Sequence, residues 1–448
     1  MTVPRRRGPT APRGTVGAAP PDPSARRGGP GFRRDRITAL GYTSLAAYAY
    51  CLYALAPFLT LLRRDLDFSY LVMSLHSTTF AAGSVLSGLF FTQALRRLGR
   101  HRLFWLSVLG TACGAVLLAV GSTVAFTLAA TALLGITGPM LQTSSLALLS
   151  VHHSAHRDRA LVEANAAASL AAVLAPALIG SLGGTDAGWR AGLTLPVAVF
   201  AVLFLLGRGR PLPGRGPAAD VVRPGRLPGR FWLRSAALGA AAGIEFGTVF
   251  YGAPLLVSRL GLGVSQAATL MTLFAVGILA GRTAGSRLVA DQGRAPRLLT
   301  GSLLLTAAGL GLLWSSHALV LSCGALLVAG AGVANLFPLS FSHAIAAAPD
   351  RSDLAAARNQ LVVNSAIMAA PLALGALSDR VGVSAAFAVE AALIVAALLL
   401  VTVDGAGSRG GTGSWGGMGA RKDTGTRNGT GAPGGTGGVG LPVDGGGG

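Results

Sequence analysis

The chain has 448 residues, 51% of them apolar and only 12% charged, with a mean hydropathy of +0.58. A soluble protein of this length carries roughly 25% charged residues, so the composition excludes an ordinary soluble enzyme. The formal net charge is nevertheless +20, from 37 Lys+Arg against 17 Asp+Glu, and such an excess fits either nucleic acid or an anionic membrane surface.

Residues 1–36 hold nine arginines among Pro, Gly and Ala, with no apolar run. They cannot bury a core, which predicts a disordered tail. They also lack the apolar centre of a signal peptide, so no cleavable leader is expected. Twelve apolar segments follow, each near the roughly 20 residues that a membrane-spanning helix needs. In chain order the predicted helices are α1 38–62, α2 71–94, α3 103–122, α4 125–149, α5 161–183 and α6 188–207. The second set is α7 231–257, α8 265–288, α9 298–316, α10 318–345, α11 355–377 and α12 382–403. Residues 405–448 contain 20 glycines among Thr, Ser and Asn and read as a flexible tail. The expected organisation is an all-α membrane protein: a tail over 1–36, a six-helix bundle over 37–207, an Arg/Pro/Gly-rich linker over 208–230, a second six-helix bundle over 231–404, and a tail over 405–448.

The arginines decide between the two basic partners. The tails and the connections 95–102, 150–160, 208–230, 289–297 and 346–354, with adjoining helix ends, carry 31 of the 37 cations. The opposite connections carry five, Arg63, Arg64, Arg190, Arg259 and Arg380, and Arg282 lies inside α8. The positive-inside rule places both termini in the cytoplasm, as an even number of crossings requires. The excess therefore faces an anionic lipid leaflet, the plasma membrane is the expected location, and nucleic acid is not implied. The three cysteines, Cys51, Cys113 and Cys323, all fall in apolar helices without disulfide or metal spacing. His152, His153 and His156 cluster after α4, in a loop too short for a metal cage, and no metal or cofactor is expected.

The two bundles repeat one another. Ala56-Pro57 of α1 recurs as Ala253-Pro254 of α7, Gly99-Arg100 as Gly293-Arg294, and Gly135 of α4 as Gly330 of α10. The run Ala175-Pro176-Ala-Leu-Ile-Gly180 of α5 recurs as Ala370-Pro371-Leu-Ala-Leu-Gly375 of α11. Because six is even, the halves are parallel repeats about an axis along the membrane normal. Over about 37–404 the chain resembles the major facilitator superfamily of secondary transporters. The superfamily's signature between the second and third helices is matched by Arg97-Leu98-Gly99-Arg100-His101-Arg102, with Arg96 standing where the family has Asp. The equivalent loop after α8 keeps Asp291, Gly293 and Arg294 but is one residue shorter. The resemblance implies gating-loop roles for these six residues: Arg97, Gly99, Arg100, Asp291, Gly293 and Arg294. Ala175-Pro176 with Gly180 is a partial match to the family's antiporter signature.

Prolines inside α1, α5, α7 and α11 (Pro57, Pro176, Pro254 and Pro371) remove backbone hydrogen bonds and bend their helices. They read either as hinges of a rocking bundle or as prolines tolerated by helix neighbours. Gly83, Gly88, Gly135, Gly277 and Gly281 allow close helix approach. An ionisable residue inside a bilayer marks a candidate site, and Glu245, in Gly243-Ile244-Glu245-Phe246-Gly247, is the foremost. It reads as a proton-coupling or cation-binding carboxylate, or as a structural carboxyl bonded to a neighbouring helix. Arg282 binds an anionic solute, pairs with Glu245 or snorkels to the interface. His76 in α2 is a second candidate for protonation. The resemblance implies a central cavity lined by α1, α4, α7 and α10, which adds Tyr50, Tyr53, Gln142, Ser145, Tyr251, Asn335 and Ser340 to the expected solute site.

No nucleotide-binding, nucleophile-elbow or zinc-protease motif is present, so the chain is not expected to be an enzyme. The expected function is secondary active transport of a small organic solute by alternating access. Proton-coupled export of an amphiphilic or drug-like compound, by a monomer, is the leading form. Uptake of a small anion or sugar-like solute is the alternative within transport, and a non-transporting membrane sensor or scaffold is the alternative outside it.

Overall fold

The computed structural model describes residues 32, 34–153, 156–185, 188–209, 211–213, 226–288 and 295–410, and the rest of the expected tails and linker lies outside them. Every regular element among the described residues is helical. Three starts carry an acceptor for first-turn amides: Asp35 takes Thr38 N at 2.9 Å, Ser69 takes Val72 N at 3.2 Å, and Thr123 takes Phe126 N at 3.4 Å. The helices of the first half are α1 Arg36–Leu66, α2 and α3 within Tyr70–Val120, α4 Val124–His152, α5 Arg157–Leu182, and α6, a 3-10 turn Trp189–Leu193 leading into Thr194–Gly207. Those of the second are α7 Gly229–Leu260, α8 Val264–Leu288, α9 Ala295–Ser315, α10 Leu319–Val333 with Leu336–Ile345, α11 Ser352–Val381, and α12 Val383–Ala386 with Ala388–Gly410. Large apolar side chains such as Leu89, Phe90, Leu206, Val320 and Leu399 point outward, as a lipid-facing surface requires.

Eleven helical segments among the described residues are long and apolar enough to cross a membrane. One of them, Tyr70–Val120, has 51 residues. A straight helix of that length would measure roughly 76 Å, against a hydrocarbon core of about 30 Å. It is in fact two crossings. Gly99 interrupts it at φ 74°, ψ 162°, in the region that favours glycine. Gly83 before the break and Gly114 beyond it both press on α4, against Gly135 and Leu134 respectively, which is possible only if the chain turns back between them. The predicted connection 95–102 thus shrinks to a single non-helical residue, and the described chain crosses twelve times.

Without a hydrophobic drive between helices in lipid, association depends on close packing at small residues. A Cβ on Gly135 of α4 would collide with the carbonyl oxygen of Phe80 in α2, and a Cβ on Gly330 of α10 would collide with that of Phe274 in α8. The two crossings are copies of one another, at the repeat offset seen in the sequence. The junction between halves is copied too. Gly180 of α5 rests on Thr269 of α8, and Gly375 of α11 rests on Ser74 of α2. Gly88, in contrast, faces open space. Pro57, Pro176, Pro254 and Pro371 each sit within an unbroken helix. In α10 the break falls at Ala334–Asn335, just before Pro338, whose ring cannot donate to the preceding turn.

Arg36 and Asp404 share one face of the bundle, here the terminal face, and the loops 67–69 and 261–263 lie on the opposite, distal face. At the terminal face Asp35 bonds Thr38 through Oδ1 and His152 through Oδ2. Partial burial alone would raise this carboxyl, but the bonds from Thr38 and His152 hold it down at about 2.

Gly135→Ala and Gly330→Ala are each expected to destabilise the bundle by about 1–3 kcal/mol. Gly88→Ala should leave stability unchanged or slightly raised. Thermal unfolding of the purified variants in detergent checks the contrast.

Candidate functional site

Residues two apart on a helix project to nearly opposite sides, whereas residues four apart share a face. Gly243 and Gly247 share the face of α7 that packs on α11 and α12, where Gly243 meets Ala370 and Leu393 and Gly247 meets Leu374 and Glu390. Glu245 lies between them in sequence and therefore points the other way, into the bundle centre. There Tyr53 of α1 donates its hydroxyl to Glu245 Oε1 at 3.4 Å. Arg282 of α8 brings its guanidinium to 4.0 Å from the same oxygen. One side chain from the first half and two from the second thus converge, Tyr53 and Glu245 from the middle of their helices and Arg282 from the last two turns of α8.

Burial differs sharply within the group. The Glu245 side chain is 8% exposed and that of Arg282 is 41% exposed. A charged residue at a helix centre costs about 2.5–3.5 kcal/mol on insertion scales, and the opposite charges of Glu245 and Arg282 offset part of that. At 4.0 Å the pair lies beyond hydrogen-bond distance, so the guanidinium retains donors for another acceptor. Asn335 helps place Arg282, because its Nδ2 donates to the carbonyl of the adjacent Gly281 at 2.9 Å.

The other predicted residues do not join this group. Tyr50 is buried and donates to Gly192 O at 2.8 Å, tying α1 to the start of α6. Ser145 is buried against Ser44 of α1 at 2.9 Å. Gln142 is exposed on α4. Ser340 is buried beside Arg234, His343 and Asp404. His76 is fully buried, with Nδ1 on Val72 O at 2.8 Å and Nε2 on Thr127 Oγ1 at 2.9 Å. A carbonyl can only accept, so Nδ1 is the donor and Nε2 is turned to the threonine. Both nitrogens are occupied, Nδ1 within α2 and Nε2 across to α4. Arg97 is exposed beside the Gly99 turn and Arg100 is half-buried, while Asp291, Gly293 and Arg294 lie outside the described residues. Glu163 of α5 accepts from Arg34 at 2.8 Å and 2.9 Å and from Arg159 at 3.1 Å.

On the distal side of Glu245 the halves are drawn together. Ser74 of α2 donates its one proton to Pro371 O at 2.6 Å and stands against the hydroxyl of Tyr251 of α7, which lies 3.1 Å from Tyr70 O. Asp379 at the end of α11 accepts from the backbone N–H groups of Tyr70 and Leu71, both at 2.8 Å. It thereby caps the start of α2 from the other half, where the helix dipole favours an anion. Sequence reasoning missed Asp379 because a carboxylate at a helix end resembles any loop charge.

The model of the Major Facilitator Superfamily matches residues 41–350 and, in an overlapping match, 235–417. The chain belongs to that superfamily and is a multi-pass membrane transporter, not an enzyme. No curated protein matches it in sequence. Among solved structures, a bacterial homologue of the human lysosomal transporter Spinster, in its inward-facing and unoccupied conformation, superposes with a TM-score of 0.64 at 15% identity, covering 84% of this chain and 96% of that one. The nucleoside transporter NupG superposes with a TM-score of 0.63 at 12% identity, covering 83% and 97%. Both likenesses are of fold.

Asp379→Ala removes the cap that joins α11 to α2. The loss of about 1–2 kcal/mol should shift the distal face toward its open form by roughly 5–30-fold. Distances between spin labels on the distal ends of α1 and α7 measure that population.

Proposed function

We propose that the chain is a proton-coupled exporter, in which Tyr53, Glu245 and Arg282 form a site shared by proton and solute. The observation that carries this is the unequal pair: a buried carboxyl 4.0 Å from a guanidinium whose side chain is 41% exposed. Such a carboxyl exchanges a proton only when the bundle opens to it, and its charge governs how firmly Arg282 is held. When Glu245 is ionised, Arg282 is drawn to it. When Glu245 is neutral, the guanidinium is released and the cost of closing around the site changes.

The fold supports a reading of the rest of the cycle. The structure is held together on the distal side by Asp379, Tyr251 and Ser74. With the terminal face toward the cytoplasm, as the arginine distribution supports, this corresponds to a form open to the cytoplasm, in which solute enters beside Tyr53. Rocking of the 37–207 and 231–404 bundles, eased by Pro57, Pro176, Pro254 and Pro371, then exposes the site distally. There a proton reaches Glu245 as solute leaves, and the neutral site returns. The aromatic ring of Tyr53 and the mostly apolar helices suit an amphiphilic organic solute. A second form has a specific support: Arg282 has donors to spare, which fits an anionic solute that competes with Glu245 for the guanidinium.

Flux of a compound panel into proteoliposomes, with and without an imposed pH gradient, tests this. Glu245→Gln is expected to reduce gradient-driven accumulation by about tenfold or more, equal to ~1.4 kcal/mol of lost coupling, while solute exchange at equal pH persists. Arg282→Ala should raise the apparent KM for anionic solutes more than for neutral ones. Gradient-driven transport that survives Glu245→Gln intact defeats the shared-site scheme, and a wild type indifferent to pH defeats proton coupling.

A further inference from the structure

A second polar cluster lies far from the central site, where α1 begins and α4 ends on the terminal face. Asp35, His152 and His153 each present one ligand atom there, and these atoms all lie within 4.8 Å of one another. The sequence alone places the two histidines together in a loop too short to close a metal cage. The fold supplies the missing ligand from elsewhere, because the carboxylate that caps α1 is carried across to the end of α4.

We propose that Asp35, His152 and His153 bind one divalent transition-metal ion of the zinc type. Two imidazoles and one carboxylate, with a fourth position left to water, form a donor set that such ions take readily. Asp35 divides its work between its two oxygens. Oδ1 accepts from Thr38 N at 2.9 Å and from Thr38 Oγ1 at 2.8 Å, which satisfies the helix cap. Oδ2 is left to face His152 Nε2 at 2.6 Å. Ligands at about 2.0–2.1 Å from a tetrahedral ion stand about 3.3 Å apart, so the pair needs to open by less than an ångström for the ion to take the place of the shared proton.

The surroundings are those of a ligand site. The rings of His152 and His153 stand edge to face at 4.7 Å between centroids, so they converge without stacking. Thr38 Oγ1 lies 2.6 Å from His153 Nε2 while bonded to Asp35 Oδ1, and this orients two of the three ligands from outside. Phe32 covers His153 at 4.7 Å between ring centroids, giving the cluster an apolar roof. Two guanidiniums at this end of the bundle, those of Arg34 and Arg159, are both paired with Glu163. Occupancy would staple the first turn of α1 to the last turn of α4, two helices of the same half.

The test uses the full chain without a polyhistidine tag, stripped with EDTA and titrated with Zn2+ by calorimetry, with Co2+ as an optical probe. One Zn2+ per chain, a Co2+ absorption spectrum of imidazole–carboxylate ligation, and a rise in thermal midpoint with Zn2+ are expected. His152→Ala and His153→Ala should each weaken Zn2+ at least about tenfold, while His343→Ala, at a different carboxylate, should not. Asp35→Asn keeps a capping side chain and should weaken Zn2+ as the histidine variants do. Absence of wild-type binding, or binding that persists in the His152→Ala/His153→Ala double variant, overturns the proposal.

Discussion

Close approach of backbones at glycine is the constraint on which the remaining structure depends. In lipid, neighbouring helices gain nothing by hiding apolar surface from one another, so depth and register must be fixed by shape. The contacts of Gly135 with Phe80 and of Gly330 with Phe274 fix them inside each half. Those of Gly180 with Thr269 and of Gly375 with Ser74 fix them between halves. These four positions fix α2, α4, α5, α8, α10 and α11, and the contacts of Gly138 with Tyr48 and of Gly243 with Ala370 seat α1 and α7 against them. The levels of Tyr53, Glu245 and Arg282 then follow.

The same packing logic separates two buried carboxyls that composition would treat alike. Glu390 of α12 is wedged against Gly247 and Leu374, and neither of its oxygens has a hydrogen-bond partner among the described residues. Glu245 stands on the opposite side of the same stretch of α7, and meets a hydroxyl and a guanidinium. The spacing Gly243, Glu245, Gly247 decides this, since the glycines claim the packed side and leave the carboxyl the open one. A buried charge is informative about chemistry only once the packed face of its helix is known.

The sequence made the frame legible to a large extent and the site only in part. Twelve apolar stretches, the shared offset and the Gly99 motif carry the topology, because membrane thickness and repetition act on whole segments. The partnership of Glu245 with Arg282 was one of the alternatives open from composition. Its geometry was not readable, since it depends on how far two helices are rotated. Tyr50 and Tyr53 illustrate the limit. They are three residues apart and should share a face, yet Tyr50 reaches Gly192 at the start of α6 and Tyr53 reaches Glu245 of α7. A bulky side chain extends far enough for a modest difference in angle to select a different neighbour. Asp379 and the Asp35–His152 contact were invisible for another reason: each joins segments more than a hundred residues apart, and no local pattern encodes that.

Departures from the repeat locate what is particular to this chain. The glycine crossings recur in both halves at offsets of 194 or 195 residues, so duplication accounts for them without reference to any solute. The polar groups do not recur. Positions 48–51, which correspond to Glu245 at the offsets of 194–197 seen in the repeat, read Tyr-Ala-Tyr-Cys and hold no carboxylate. Those corresponding to Arg282, 85–88, read Val-Leu-Ser-Gly and hold no cation, and those corresponding to Asp379, 182–185, read Leu-Gly-Gly-Thr and hold no acid. A symmetric bundle with symmetric charges would close equally well by either half. Placing the carboxyl and guanidinium in the second half alone, with Tyr53 as the first half's contribution, makes the two bundles unequal at the one level where they meet around the central site. The distal cap by Asp379 adds the same inequality at the rim. The asymmetry is confined to a few residues laid over a frame that repeats.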